Sequence, residues 1–178
     1  MRIRDSFFMD AKKILSPNFS EREKNIDLIV LHSISLPEGE YDNDNVEDLF
    51  TNKLNFDLHS SFQDLRNVKV SAHLYIKRDG TIIQFVPFNK RSWHAGKSSF
   101  ENLADCNDYS IGIELEGCDD IAFEDTQYFK LAEVINCLMG NYESLTPERI
   151  VSHSDIAPNR KTDPGPLFDW KRLKTMIK

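Results

Sequence analysis

Two stretches of the chain have the hydrophobic pattern of buried β-strands. Asp27–Leu31 is too short and too rich in β-branched residues for a helix, which indicates a strand. Tyr109–Glu116 alternates, and successive side chains of a strand point to opposite faces. One face of this second strand carries Ile111, Ile113 and Leu115, and the other carries Gly112, Glu114 and Glu116. The pattern therefore predicts two strands in the core.

A β-hairpin and several helices complete the pattern. His73–Lys77 and Thr81–Val86 flank an Asp-Gly pair, which is a strong signal for a tight turn between two strands. Helical spacing is clearest in Asp125–Met139, which is followed by a glycine. Its expected apolar stripe consists of Phe129, Ala132, Val134, Ile135 and Leu138. Shorter helices are predicted after Asn45, at Ser60–Leu65 and at Phe168–Ile177.

The mixture of elements predicts the fold class. The chain has 178 residues, of which 40% are hydrophobic and 29% are charged, as in an ordinary globular domain. Strands interspersed with helices are typical of α/β proteins. We expect a single domain over residues 1–178, with its core from about 26 to 177. In this fold, helices flank a central mixed β-sheet.

Charge and cysteine content narrow the possible partners. The formal net charge of −7 argues against nucleic acid, whose binding requires clustered Lys and Arg. No apolar run reaches the roughly 18 residues of a membrane span or the roughly seven of a signal-peptide core. The three cysteines form an odd set without C-x-x-C spacing, which indicates reduced thiols. We expect a cytoplasmic, monomeric protein that acts on a small substrate and does not bind a membrane.

The candidate chemistry is concentrated near the end of the chain. Residues 152–166 combine ionisable side chains with prolines, which argues against a helix or a central strand. His153 and Asp163 are ligand types of catalytic zinc, and His32 directly follows the first predicted strand. Lys161 points to the same side of an extended chain as Asp163. Because a metal repels a lysine, we interpret Lys161 as the group that stabilises the oxyanion of an attacked amide.

Glu114 is the candidate general base of such a metal-assisted hydrolase. A carboxylate beside an activated water can take its proton and pass it to the leaving nitrogen. Gly112 lies on the same strand face and leaves room for a ligand or a neighbouring backbone. Two alternatives stay open: Glu114 lies on a solvated face, or Glu116, which shares that face, is the base. His94 also has two interpretations, since it either lines a cleft and stacks on a sugar or packs on the adjacent indole of Trp93.

These residues stand in long motifs that resemble a known family. The motifs are Val70-Ser71-Ala72-His73, Trp93-His94-Ala95-Gly96, Cys106 to Gly117, His153 to Pro158 and Arg160 to Pro166. On them, the chain resembles the AmpD-type anhydro-N-acetylmuramyl-L-alanine amidases from Met9 to Trp170. These enzymes belong to a zinc amidase family that also contains phage amidases and peptidoglycan recognition proteins.

The resemblance implies a role for each candidate residue. His32, His153 and Asp163 match the zinc ligands of the family, Glu114 matches its catalytic glutamate, and Lys161 matches the lysine that assists at the carbonyl oxygen. The implied reaction is hydrolysis of the amide between the lactyl group of (anhydro-)N-acetylmuramic acid and L-alanine of the stem peptide. It serves cytoplasmic peptidoglycan recycling and restrains β-lactamase induction in bacteria that have this circuit.

Five residues are expected to bind the substrate: Ser33, Lys69, Trp93, His94 and Asp105. Three of them depart from the family pattern. Ser33 stands where Asn is frequent, Lys69 stands where Arg is frequent, and Asp105 stands where relatives can carry a basic residue. Because these positions are expected near the sugar or the stem-peptide carboxylates, the departures bear on affinity and on the preference for the anhydro sugar.

Two other functional classes are less consistent with the sequence. A relative that has lost zinc and only binds peptidoglycan would lack one of the ligands, whereas His32, His153 and Asp163 are all present. A zinc peptidase that cuts within the stem peptide would share the metal chemistry. The chain contains no H-E-x-x-H helix, which argues against that class.

Overall fold

A six-stranded mixed β-sheet forms the centre of the computed structural model, which describes residues 1–178. Its strands are β1 (Lys12–Lys13), β2 (Leu28–Ile34), β3 (Leu74–Ile76), β4 (Ile82–Gln84), β5 (Ser110–Glu116) and β6 (Ile150–Ser152). Their order across the sheet is β6-β2-β5-β3-β4-β1. Strand β5 pairs in parallel with β2 and β3, and β3 and β4 form the predicted antiparallel hairpin. The predicted fold, a single α/β domain with a mixed sheet, is confirmed.

Helices and short strand pairs surround this sheet. The α-helices are α1 (Asn45–Phe50), α2 (Asp125–Met139), α3 (His153–Ile156) and α4 (Trp170–Met176). Single 3₁₀ segments occupy Ser60–Leu65, Cys106–Asp108 and Pro147–Arg149. Three small ribbons pair Ile3–Arg4 with Phe7–Phe8, Phe19–Glu21 with Lys90–Ser92, and Ser99–Phe100 with Leu103–Ala104. None of the helices combines the length and apolar character that crossing a bilayer requires.

The main hydrophobic core lies between the sheet and helices α2 and α4. It contains the predicted inward face of β5, namely Ile111, Ile113 and Leu115. Phe8 is also fully buried in this core, and β1 pairs with β4. Packing therefore extends to residues before the expected core boundary near residue 26.

Helix α2 has the predicted bounds but not the predicted stripe. Phe129 is 58% exposed, so its assignment to the apolar face is wrong. Tyr128 is buried instead, and it forms the apolar stripe together with Leu131, Ala132 and Ile135, which follow it at three- and four-residue spacing. Neighbouring helix positions differ by about 100° around the axis, which turns the ring of Phe129 away from the core.

Strand β2 continues three residues past its predicted end at Leu31. Its parallel pairing with β5 extends to Ile34, so His32 lies inside the strand. Both faces of β5 are buried, as is typical of strands in parallel pairing. The alternative in which Glu114 lies on a solvated face is therefore wrong.

Candidate active site

The three predicted metal ligands meet at one point. The Nδ1 atoms of His32 and His153 are 2.9 Å apart. Each of them lies 3.0 Å from Oδ2 of Asp163. Both histidines are buried, whereas the Asp163 side chain is 16% exposed. Residues that are up to 131 positions apart in the chain thus form one compact cluster.

Strand pairing explains how the two histidines meet. Strand β6 runs parallel to β2 with Ser152 opposite Leu31, so the residues that follow, His153 and His32, lie at the same level of the sheet. His153 opens helix α3, which a reciprocal cap between Ser152 and Asp155 starts. The expectation that residues 152–166 contain neither helix nor strand is wrong for residues 152–156. The cap starts a short helix there, before the prolines of the segment begin.

The electrostatics of the cluster favour the metal-binding protonation states. Burial lowers the pKa of His32 to about 4, so this imidazole is neutral at neutral pH. For Asp163, burial raises the pKa, but the close contacts of its carboxylate with the imidazoles of His153 and His32 together outweigh burial, and the pKa lies below its ordinary value. Neutral imidazole and ionised carboxylate are the forms that bind metals. With all three ligand atoms within 4.8 Å of one another, the cluster can hold a metal ion.

The far ring nitrogens of the two histidines are held by the loop 93–97. Nε2 of His32 lies 2.8 Å from Nδ1 of His94. Nε2 of His153 donates to the carbonyl of Ala95 at 3.1 Å. Arg160 donates to the same carbonyl at 2.6 Å and to that of Lys97 at 2.8 Å, so it fastens the loop to the cluster. Contacts of this kind orient metal ligands in other proteins.

Glu114 presents an unpaired carboxylate oxygen in the same region. It pairs with His32 across β5 and β2, and it is 8% exposed. Its Oε2 atom is buried without a hydrogen-bond partner. Burial and then the charge of Asp163 raise the pKa of Glu114 well above its ordinary value, while Lys161 acts in the opposite direction. A buried carboxyl group with a raised pKa is suited to proton transfer.

The second glutamate of that strand face is engaged elsewhere. Glu116 accepts the backbone N–H of Arg78, beside the hairpin turn, at 2.9 Å. The space over Gly112 is also filled, since a Cβ atom there would lie 2.4 Å from Cγ of His94. The room at Gly112 thus accommodates the ring of His94 rather than a ligand. Of the two glutamates, Glu114 is the one that lines the cavity over the cluster.

A cavity of about 230 Å³ opens over the cluster. Its polar lining includes His32, His94, Glu114, His153, Lys161 and Asp163. A wider groove of about 470 Å³ shares Ser33, Lys161 and Asp163 with this cavity. A third cavity of about 220 Å³ shares His94, His153 and Lys161 with it. The cluster and Lys161 therefore lie where three parts of one extended cleft meet.

The structure brings four of the five expected substrate-binding residues to this cleft. Ser33 lines the central cavity and the groove, and Lys69 and Trp93 line the third cavity. His94 contacts the cleft but lies beneath it, where its ring bonds His32 instead of packing on the adjacent indole. Asp105 is exposed in a left-handed turn with φ of 58° and lines none of the three cavities.

Two residues without an expected role also contribute to the site. Arg160 fastens the loop 93–97, as described above, and lines the groove. Ser110 bonds Nε2 of His94 at 3.0 Å. Both residues stand in the motifs that carry the family resemblance. The alternation of β5 places Ser110 on the face of Gly112 and Glu114, a signal that could have singled it out.

The fold and the site define a class of protein, a mixed-sheet α/β domain whose His-His-Asp cluster can hold a metal beside a buried carboxyl group, as in metal-assisted hydrolases. Residues 22–166 match the family model described as N-acetylmuramoyl-L-alanine amidase. The chain belongs to this amidase family, and the resemblance stated from its motifs is confirmed.

Individual relatives agree with this assignment. The chain is 44% identical over 179 residues to 1,6-anhydro-N-acetylmuramyl-L-alanine amidase AmpD of Citrobacter freundii, with 99% of this chain and 95% of the relative covered. The crystal structure of a selenomethionine derivative of AmpD superposes with a TM-score of 0.97, at 43% identity and full coverage of both chains. Amidase AmiD of Escherichia coli, solved with anhydro-N-acetylmuramic acid-L-Ala-D-γ-Glu-L-Lys, has a TM-score of 0.62 at 30% identity, and the match covers 88% of this chain and 60% of AmiD.

Proposed function

We propose that this chain is a zinc-dependent amidase that cleaves the bond between the lactyl group of anhydro-N-acetylmuramic acid and L-alanine of the stem peptide. The observation that carries the proposal is the unpaired buried oxygen of Glu114, a residue that lines the cavity over the His-His-Asp cluster. The name of the Citrobacter freundii relative and the ligand bound to AmiD support this substrate class. Residues 1–178 act as one amidase domain.

His32, His153 and Asp163 hold the zinc ion in this proposal. Two imidazole nitrogens and one carboxylate oxygen are the donor set of many catalytic zinc sites, in which one position stays open. When bound, zinc supplies Lewis acidity and lowers the pKa of a coordinated water. The orientation of the three side chains toward one another, at 2.9–3.0 Å, fits this ion.

Glu114 and Lys161 perform the proton transfer and the charge stabilisation. Glu114 accepts a proton from the attacking water, whose oxygen bonds to the lactyl carbonyl carbon. The carbonyl oxygen gains negative charge, which the ammonium group of Lys161 at the cavity wall stabilises. Glu114 then delivers the proton to the nitrogen of L-alanine as the C–N bond breaks. The products are a lactyl carboxylate and a peptide with a free amino group.

The cleft offers room for the substrate on either side of the scissile bond. Trp93 has an aromatic face suited to a pyranose ring, and its Nε1 donates to Ser20 at 3.3 Å, which fixes its orientation. Ser33, Lys69 and His94 are the further contacts that we propose for the sugar or the stem peptide. We also propose Asp105 as a substrate contact, although it lines none of the three cavities.

We assign the reaction to cytoplasmic peptidoglycan recycling, with an indirect effect on β-lactamase induction. The AmpD relatives support the recycling role through the anhydro sugar in their name. Cys106, Cys118 and Cys137 are all free thiols, as is typical of a reducing compartment. The enzyme acts as a monomer on soluble fragments and needs neither nucleic acid nor a membrane.

The test is incubation of zinc-loaded protein with purified anhydromuropeptide, followed by mass analysis. We expect free anhydro-N-acetylmuramic acid, or its disaccharide, together with a peptide that begins with L-alanine. A competing muropeptide with the same peptide and a reducing sugar should react more slowly. Cleavage within the peptide would contradict the reaction, equal rates would contradict the anhydro preference, and lysis of intact sacculi would contradict the recycling role.

A further inference from the structure

His94 links the cluster to the interior of the sheet through a chain of hydrogen bonds. Its Nδ1 lies 2.8 Å from Nε2 of His32. Its Nε2 lies 3.0 Å from Oγ of Ser110. Ser110 in turn lies 2.6 Å from the carbonyl oxygen of Cys106. All four residues are buried, so water does not compete for these bonds.

The direction of each bond follows from the last acceptor in the chain. A carbonyl oxygen only accepts, so the hydroxyl of Ser110 donates to Cys106. The Ser110 oxygen is then free to accept the N–H at Nε2 of His94. This leaves Nδ1 of His94 as an acceptor, and Nε2 of His32 must donate to it. Consequently the lone pair of His32 lies on Nδ1, the atom that faces His153 and Asp163.

The backbone around His94 is built to hold this ring. The side-chain oxygen of Asn107 accepts the backbone N–H groups of His94 and Ala95 at 3.1 and 2.8 Å. The ring lies directly over Gly112, where any Cβ would collide with it. Neither contact is needed for a loop histidine that merely lines a cleft.

We infer that His94 is a positioning residue of the metal centre, which fixes the tautomer and the ring orientation of His32. The inference rests on the proposed metal site at His32, His153 and Asp163. His94 does not touch the metal or the substrate carbonyl in this role. It acts by accepting a hydrogen bond from the Nε2–H of His32, and Ser110 acts by keeping His94 in the accepting tautomer. Partners of this kind typically change metal affinity by about 10–100-fold.

The test measures zinc affinity by chelator competition in the full chain. His94→Leu should weaken zinc binding by about 10–100-fold. His94→Asn should recover much of this loss, because an amide oxygen can take the place of Nδ1 as the acceptor. Ser110→Ala leaves His94 in place and should weaken binding less than His94→Leu. His73→Asn is the matched control, since His73 is also a buried histidine but bonds Ser92 and Gly112 instead of the cluster.

An NMR readout separates positioning from general damage. In zinc-loaded wild type, the N–H proton at Nε2 of His32 should appear as a hydrogen-bonded imidazole resonance, and it should persist in His94→Asn but vanish in His94→Leu. Wild-type zinc affinity in His94→Leu, or an equal loss in His73→Asn, would overturn the role of His94. Failure of the wild type to bind zinc would overturn the proposed function as well, and the two failures are thereby distinguished.

Discussion

Replacement of Glu114 by glutamine removes the proposed base while it preserves the shape of the side chain. General-base catalysis typically contributes about 10²–10⁴-fold to a rate, so turnover should fall by that factor. At about 1.4 kcal/mol per tenfold change, the barrier should rise by about 3–6 kcal/mol. The metal ligands are untouched, so zinc content should equal that of the wild type.

The same substitution should stabilise the metal-free protein at neutral pH. Glu114 is buried with one unpaired oxygen, and an unsatisfied buried polar group costs about 1–3 kcal/mol, more when it is charged. Because its folded pKa lies above its ordinary value of 4.5, the native state holds the proton more tightly than the unfolded state does. The resulting stability is present below pH 4.5 and is lost as the pH rises toward the folded pKa. Because glutamine does not titrate, the stability of the variant relative to the wild type should increase as the pH rises through this interval.

Turnover is measured by mass analysis of anhydromuropeptide products, and stability by urea unfolding in chelator at pH 4.5 and pH 7.5. Glu116→Gln is the matched control, since the amide oxygen can still accept the N–H of Arg78. We expect it to keep activity close to that of the wild type. Full activity in Glu114→Gln, or a variant that is less stable than the wild type at pH 7.5, would refute the reasoning.

Three further outcomes are expected. Lys161→Ala should lower turnover by about 10²–10⁴-fold with zinc content unchanged, and an unaltered rate would remove its proposed role. Zinc at 100 times its Kd should raise the free energy of unfolding of the wild type by about 2.7 kcal/mol, and chelation should remove this gain and lower the unfolding midpoint. The stability of Asp163→Ala should respond little to zinc or to chelation. Gly112→Ala should cost about 1–3 kcal/mol in urea unfolding, because its Cβ collides with the ring of His94 2.4 Å away, and wild-type stability would contradict the described packing.

Much of the placement of the candidate site residues was predictable because it depends on local sequence. The alternation of β5 places Glu114 opposite the apolar face, and strong local motifs identify His153, Lys161 and Asp163. The turn of the hairpin and the bounds of α2 likewise follow from short-range preferences. For these features, the residues that determine the structure are neighbours in the chain.

The unpredicted features depend on segments that meet only in the fold. The position of the His94 ring depends on the loop 93–97 and on Gly112 of β5, and no rule of sequence spacing connects these two segments. Similarly, β2 extends past Leu31 because β5 continues to pair with it, although the residues that follow, including His32 and Ser33, are polar. The choice between Glu114 and Glu116 required the contact of Glu116 with Arg78, which lies 38 positions away.

One face of β5 accounts for much of the site, and its two-residue period explains why. Ser110 anchors the ring of His94, Gly112 makes space for that ring, and Glu114 leaves its oxygen unpaired in the region of the His-His-Asp cluster. A shift of the strand by one residue would exchange this polar face with Ile111 and Ile113 of the core. The apolar packing on the other face therefore fixes the register that aligns Glu114 with His32 across the sheet. In this way the same alternation that builds the core also positions the proposed base beside the proposed metal ligands.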